Sequence, residues 1–324
     1  MGFAKDSLST NAMGGTELMK FGLQSHITED LLDNFQIFVS RVEEPFDETK
    51  IRIYWSHDLC DDPATEILRD GGWKNFHRLV FVSNWQMQTF IAKYDIPYSH
   101  CVVLRNAIQP FDFIKKPTDK IRIGYWSTPH RGLNILVPVF EKLSERYDNI
   151  ELDVFSSFKL YGWEQRDEPF EALFDRCIAH DKINYHGSVP NEQIREYVKQ
   201  AHILGYPSIW PETSCLTMIE AMAGGMLCVH PNYAGLPETS GGLTYMYQFQ
   251  EELNSHANMF YYMLDNAINS FFSPEMQNRL QLQSIYANSI YSWGSRSQEW
   301  RELLTSMLGM PRELPKPEFV YRTS

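Results

Sequence analysis

Short apolar runs alternate with amphipathic stretches along most of this chain. Residues 35–39, 51–55, 78–82 and 101–104 read as strands, and residues 64–69 and 85–94 as helices, the second capped by Ser83. The rhythm resumes with strands at 120–125, 151–156, 183–186, 202–206 and 228–231. Between them the pattern predicts helices from Leu133 to about Arg146, up to about His180, over 191–200, and from Ser214 to the Gly224-Gly225 stop. Strands spaced by helices mean parallel sheets covered on both faces. The end is helical, over 253–272, 274–293 and 293–308, with the tail beyond Pro311 expected to be extended.

The 324 residues are enough for two α/β domains, expected at 1–115 and 116–295, followed by a C-terminal helix and tail at 296–324. Residues 111–119, with Lys115-Lys116-Pro117, are the expected linker. The start is unusual. Residues 1–13 are polar and loop-like, and Gly14-Gly15-Thr16-Glu17 opens a helix through about His26. A glycine turn opening such a helix ordinarily follows a strand, so the first domain is expected to lack its first strand. Alternatively, Gly14-Gly15 is a simple turn.

Candidate chemistry concentrates in residues 207–225. Glu212 stands in a loop after a buried strand, and Glu220 stands inside the helix that follows. The amides of Ser214, Cys215 and Leu216 should be free at that helix's first turn, which suits an anion. Two separated carboxylates around an anion site suggest sugar at one end, ribose at the other and diphosphate between. The plain alternative is a solvated Glu220 and a Glu212 favoured by the helix dipole.

Glu212-(seven residues)-Glu220, preceded by Pro207-Ser208 and followed by Ala-Met-Ala-Gly-Gly, resembles the E-x7-E motif of retaining GT-B glycosyltransferases of family 4 (glycosyl transferases group 1). That resemblance implies two Rossmann-like domains whose parallel sheets face a central cleft. It puts the acceptor on the N-terminal side, the nucleotide-sugar on the C-terminal side, and the last helix back on the first domain. It implies transfer of a sugar to a glycan, lipid or protein acceptor with configuration retained and no metal or cofactor, from a UDP- or GDP-sugar. The leaving phosphate's own oxygen would take the acceptor proton. Glu212 would orient sugar hydroxyls, Glu220 would accept from the ribose, and Arg131 in Arg131-Gly132 would hold the diphosphate.

His57, after the strand in Tyr-Trp-Ser-His-Asp, is similar to the histidine beside the donor sugar, and is otherwise a packing residue. Gly187 and Val189 resemble the loop against the base, Gly15 the glycine-rich turn, and Asn106 a turn residue at the cleft. Glu238 either contacts ligand or caps a helix. One departure stands out. The family has a second basic residue about six positions before Gly132, where Tyr125-Trp126-Ser127 stands; His130 or a group from elsewhere would substitute.

Charge and composition narrow the alternatives. A net charge of −12 argues against a general nucleic-acid or anionic-membrane binder. Cys60, Cys101, Cys177, Cys215 and Cys228 have no paired spacing, which reads as reduced thiols in the cytoplasm. No histidine–cysteine set has metal-ligand spacing, and no run of about 18 apolar residues marks an integral membrane segment. Two competitors share the architecture: a nucleotide-sugar epimerase, and a non-catalytic sugar- or nucleotide-binding descendant.

Overall fold

The computed structural model describes residues 2–4, 14–112 and 114–314. The expectations for residues 5–13 and for the tail from 315 lie outside them. The chain divides into two compact units. The first comprises residues 2–4, Leu18–Ala107 and the chain from Trp293; the second comprises residues 14–17 and Ile108–Ser292. The crossings thus fall at Ala107/Ile108, ahead of the expected linker, and at Ser292/Trp293.

In the first unit, α1 (Gly15–His26), which carries the change of unit after Glu17, and α2 (Glu29–Leu32) precede β1 (Phe35–Val39). β2 (Ile51–Ser56), β3 (Arg78–Phe81), α3 (Asn84–Tyr94) and β4 (Cys101–Val103) follow. The sheet is parallel in the order β1-β2-β3-β4, with Phe35 opposite Ile51 and Val80 opposite Val102. β1 and β2 are buried along their whole length, which is why they read as unbroken apolar runs. Ahead of α1, Ala4 N donates to Ile37 O and Ile37 N to Gly2 O, both at 2.9 Å. A single parallel bridge, Phe3 to Ile37, therefore lies beside β1 where a first strand was expected to be missing.

Ser83 caps α3 by accepting from Gln86 N at 3.1 Å, as its position before the helix suggested. The helix expected at 64–69 is present as part of a 3-10 helix over Pro63–Asn75, whose helical backbone is interrupted at Arg69 (ψ 155°), Asp70 (φ 52°) and Gly71 (φ 85°).

The second unit begins with β5 (Ile121–Trp126), α4 (Leu133–Ser144), β6 (Ile150–Phe155), α5 (Glu171–Ile178) and β7 (Ile183–Tyr185). α6 (Asn191–Gln200), β8 (Ile203–Gly205), α7 (Leu216–Ala223) and β9 (Leu227–Pro231) come next. α8 (Leu236–Ser240), β10 (Tyr245–Tyr247), α9 (Leu253–Ser270) and α10 (Pro274–Ile290) complete it. The residue pattern did not signal α8 or β10, each too short to establish a period. The parallel sheet runs β10-β9-β8-β5-β6-β7.

β5 therefore has β6 on one side and β8 on the other, and the winding direction reverses between β5 and β8. In open parallel sheets this reversal leaves a crevice at the carboxyl ends of the two strands, because their exits turn to opposite faces. α11 (Trp293–Met307) belongs to the first unit, where its Trp300 packs on Trp55 with ring centroids 4.8 Å apart.

Candidate functional site

The site is built at that reversal in the second unit. β5 and β8 are paired through Ile123–Ile203 and Gly124–Leu204, so the loop leaving β5 lies beside the loop leaving β8. The first carries Arg131 and the second Glu212. Arg131 Nη1 donates to both carboxylate oxygens of Glu212, at 2.8 and 3.0 Å. Tyr206 Oη donates to Glu212 Oε1 at 2.6 Å.

Glu212 is only 5% exposed, and Arg131 lies 5.9 Å from the centre of the Trp210 ring. Burial acts to lower the Arg131 pKa, but Glu212 and then Tyr206 outweigh it and raise it well above its ordinary value. This guanidinium is a permanent charge, shared between the protein's own carboxylate and any anion that enters.

Backbone contacts hold the two loops together. Gly132, between Arg131 and α4, has φ +122°, and a Cβ there would lie 2.2 Å from Pro207 O. Only glycine allows both that conformation and that approach. On the other side, Gly235 N donates to Glu212 O at 2.8 Å. Tyr125 stacks on Tyr206, and its hydroxyl donates to Thr128 O at 2.8 Å.

The second carboxylate lies eight positions on. α7 begins at Leu216 with Cys215 as its N-cap, and places Glu220 on a buried face. Asn191 Nδ2 donates to Glu220 Oε1 and Oε2, at 3.2 and 3.4 Å, and Arg195 Nη1 stands 3.8 Å from Oε1. Burial pushes the Glu220 carboxyl up to about 7, against the opposing pull of Asn191 and Arg195. Arg195 also donates to Pro110 O at 3.2 Å and covers the Phe111 ring at 3.8 Å.

The remaining expected residues of this unit fall as follows. Ser214 and Leu216 are half-buried and Cys215 buried, its thiol pushed up by burial and then by Glu212. A Cβ on Gly15 would lie 3.1 Å from Leu216 Cδ1, so α1 begins against the start of α7. Gly187 has left-handed backbone (φ 65°), and Val189 packs half-buried on the core.

His130 stacks on Phe158 and meets Trp210 edge-on. Burial, with Arg131 and Arg166 adding to it, brings its pKa to about 4. His130 is thus uncharged at neutral pH and does not supply the second cation that the sequence led us to look for.

His57 and Asn106 belong to the first unit. His57 follows β2, lies against Trp55 at 4.6 Å, and is held neutral by burial, with a pKa of about 3. Asn106 is buried. Tyr206, Asn191 and Arg195 escaped the sequence reading. Their signals were faint: a hydroxyl ending an apolar strand, and a polar i, i+4 pair on α6 that reads as a solvated face.

A separate cavity of about 310 Å³ in the second unit is lined by Phe111, Gln281, Ser284, Ile285, Asn288 and Ser289, none of them an expected site residue. Among the described residues no cluster of three or more histidine, cysteine or acidic side chains could hold a metal. No described helix is long and apolar enough to cross a membrane.

Two parallel-sheet domains, one of them with a polar site at its strand reversal, define the GT-B architecture of glycosyltransferases. Residues 114–241 match the model of the glycosyl transferases group 1 family.

One component of the human phosphatidylinositol N-acetylglucosaminyltransferase is 26% identical over 141 residues, 42% of this chain and 28% of that protein. The GPI3 component of the same-named enzyme from Saccharomyces cerevisiae is 23% identical over 176 residues, 51% of this chain and 37% of that protein. The matches thus span about a third of those relatives' length.

Among solved structures, a glycosyltransferase from Rickettsia africae ESF-5 superposes with TM-score 0.68 at 16% identity, covering 94% of this chain and 84% of that one. Anabaena Alr3699/HepE in complex with UDP-glucose gives 0.62 at 15%, covering 79% and 72%. These likenesses bear on the fold alone.

Proposed function

We propose that this chain transfers a sugar from a UDP- or GDP-sugar to an acceptor hydroxyl on a glycan, lipid or protein, with retention, without a metal or other cofactor, in the cytoplasm. The observation that carries the reading is the Arg131–Glu212–Tyr206 cluster at the strand reversal, with Glu220 eight residues further along. Departure of a nucleoside diphosphate requires its growing charge to be met by donors already in place. Arg131 and the amides of Cys215 and Leu216 at the start of α7 provide them. Glu212, aimed by Tyr206, orients the sugar hydroxyls. Glu220, aimed by Asn191 and Arg195, takes the ribose hydroxyls. The leaving phosphate's oxygen accepts the proton of the attacking hydroxyl, so no protein base is needed beside the anomeric carbon.

The test is a thermal-shift screen of UDP-, GDP- and ADP-sugars, followed by donor turnover. A fitting donor stabilises by mass action, about 2.7 kcal/mol at a hundred times its Kd. Turnover that vanishes in Glu212→Ala and Arg131→Ala supports the proposal; turnover unchanged in both defeats it. A nucleotide-sugar binder without transferase activity is the second reading, favoured by uncharged Trp126 standing where a cation was expected. Donor binding with no turnover under any acceptor would select it.

A further inference from the structure

Arg195 ends near Glu220 without being held by it. Its Nη1 stands 3.8 Å from Glu220 Oε1, beyond hydrogen-bond reach. What fixes the guanidinium is the segment at residues 110–111. Nη2 donates to Pro110 O at 3.2 Å, and Cζ lies 3.8 Å from the centre of the Phe111 ring. A cation over an aromatic face is attracted by the ring's negative quadrupole, which acts out to about 6 Å.

The ring is itself set in place. Phe111 is 7% exposed. Its backbone N donates to Asn288 Oδ1 at 2.8 Å, and Ile108 N donates to Tyr291 O at 2.7 Å, both at the C-terminal end of α10. Asn288 Nδ2 in turn donates at 3.0 Å to Ala223 O, the last residue of α7, the helix that carries Glu220. Ring, guanidinium and carboxylate are thus registered to one another through α10.

That registration matters because an ion pair without a hydrogen bond has no preferred direction and depends on distance alone. Among the described residues Arg195 is the charged group acting on Glu220, and Asn191 the neutral one. We infer that Phe111 is a positioning residue for the donor's ribose, its ring holding the Arg195 guanidinium where it faces Glu220. This rests on the assignment of the ribose to Glu220 above. An ionised Glu220 accepts from both ribose hydroxyls, whereas a protonated one must donate at one oxygen. Burial pushes this carboxyl up to about 7 and Arg195 opposes the rise. With Arg195 released it rises further, and the accepting form is lost at higher pH.

Phe111→Leu and Phe111→Met fill the space without a ring; Phe111→Tyr keeps it. These, Arg195→Met and the double variant Phe111→Leu/Arg195→Met are compared with wild type in the full chain. Binding of UDP and GDP is measured by calorimetry from about pH 6 to about pH 9. The variant-to-wild-type ratio of affinities is read, because the ligand's own ionisation cancels in it. Phe111→Leu and Phe111→Met should bind roughly three- to tenfold more weakly at the acid end, the worth of a cation–π contact. The deficit should close as pH rises, since both proteins then carry the carboxylate. Arg195→Met should show the same closing profile, and the double variant should bind no more weakly than Arg195→Met. Phe111→Tyr, whose added hydroxyl stands beside a cavity of about 310 Å³, should bind like wild type.

A deficit in the ringless variants that is the same at every pH would overturn the inference, as a packing role predicts it. So would deficits that multiply in the double variant, because Phe111 would then act independently of Arg195. Either result leaves the nucleotide reading in place. Wild-type protein that binds neither diphosphate would overturn both.

Discussion

Removing Arg131 should cost more than the sum of its contacts suggests, and removing Glu212 with it should restore most of the loss. In Arg131→Met, a carboxylate that is 5% exposed keeps Tyr206 as a donor at 2.6 Å and loses its counter-charge. Two unit charges about 4 Å apart at an effective dielectric near 20 attract by about 4 kcal/mol. Breaking a buried pair from one side typically costs about 3–5 kcal/mol, since the stranded charge pays for its own desolvation. Glu212→Gln should cost somewhat less, because the Arg131 side chain is 23% exposed and water can reach it in part.

The double variant strands no charge and should fall within about 1 kcal/mol of wild type, giving a coupling of about 6 kcal/mol from single effects of about 4 and about 3 kcal/mol. The assay is a double-mutant cycle by denaturant unfolding, with melting temperatures as a second probe. For a domain of this size the single variants should melt lower by about 2–4 °C per kcal/mol, near 10 °C in all. Single effects that add to within about 0.5 kcal/mol would refute the reasoning, because they would mean the two side chains are not one electrostatic unit.

Three further outcomes follow from the same geometry. Glu220 has a folded-state pKa of about 7 against an ordinary 4.5, so ionising it opposes folding: the penalty is absent below pH 4.5, grows as pH rises, and is complete above 7. Glu220→Gln should then be about 3 kcal/mol more stable than wild type at pH 8 and lose that advantage near pH 4; parallel stability curves for the two proteins would contradict the shift. Gly132→Ala should cost at least about 2 kcal/mol in stability, since its φ of +122° is strained for alanine and Pro207 O leaves no room; an unchanged denaturation midpoint would count against the assigned loop contact. Tyr206→Phe should cost about 1.5–3 kcal/mol for a lost bond to a buried carboxylate, and should slow donor turnover by misaligning Glu212; full activity would remove Tyr206 from any positioning role.

How far the sequence foretold this molecule differs from element to element, for physical reasons. β1 and α6 were legible to the residue, because five consecutive strand-forming positions and a helical period of ten leave little choice of register. Residues 63–75 were legible only in part: a helix was expected at 64–69 and one is there, but its 3-10 pitch and its resumption after the left-handed Asp70 and Gly71 left no mark in the residue pattern. The convergence of Arg131 and Glu212 on one site was expected from the family resemblance, but their direct pairing was not, since nothing in the residue pattern makes the strands before them, 81 positions apart at these side chains, neighbours. The partners of Glu220 were not legible either, because Asn191 and Arg195 sit on a helix whose polar face looks like any solvated one. Trp126 was legible only as a departure, the place where a cation was expected; its orphaned indole nitrogen is a fact of packing that no residue pattern carries.

Several of the costs in this unit fall close together in the sequence elements that build the site. Glu220 is buried against its own ionisation, Arg131 and Glu212 hold a desolvated pair, and the loop between β5 and α4 carries four unpaired polar atoms. Each opposes folding, and each is carried on an element packed over the unit's apolar core. A core with stability to spare can hold such groups rigid without a ligand, and that rigidity has a use. Donors that would otherwise be solvated, or folded onto one another, are fixed in advance where negative charge must be met, so little reorganisation remains when it forms. On this view a variant that relieves the strain at a ligand-facing group, such as Glu220→Gln, should gain stability and lose ligand affinity together. If such variants gained both, the unpaired groups would be defects of packing, and the strand reversal would have to be explained without a diphosphate.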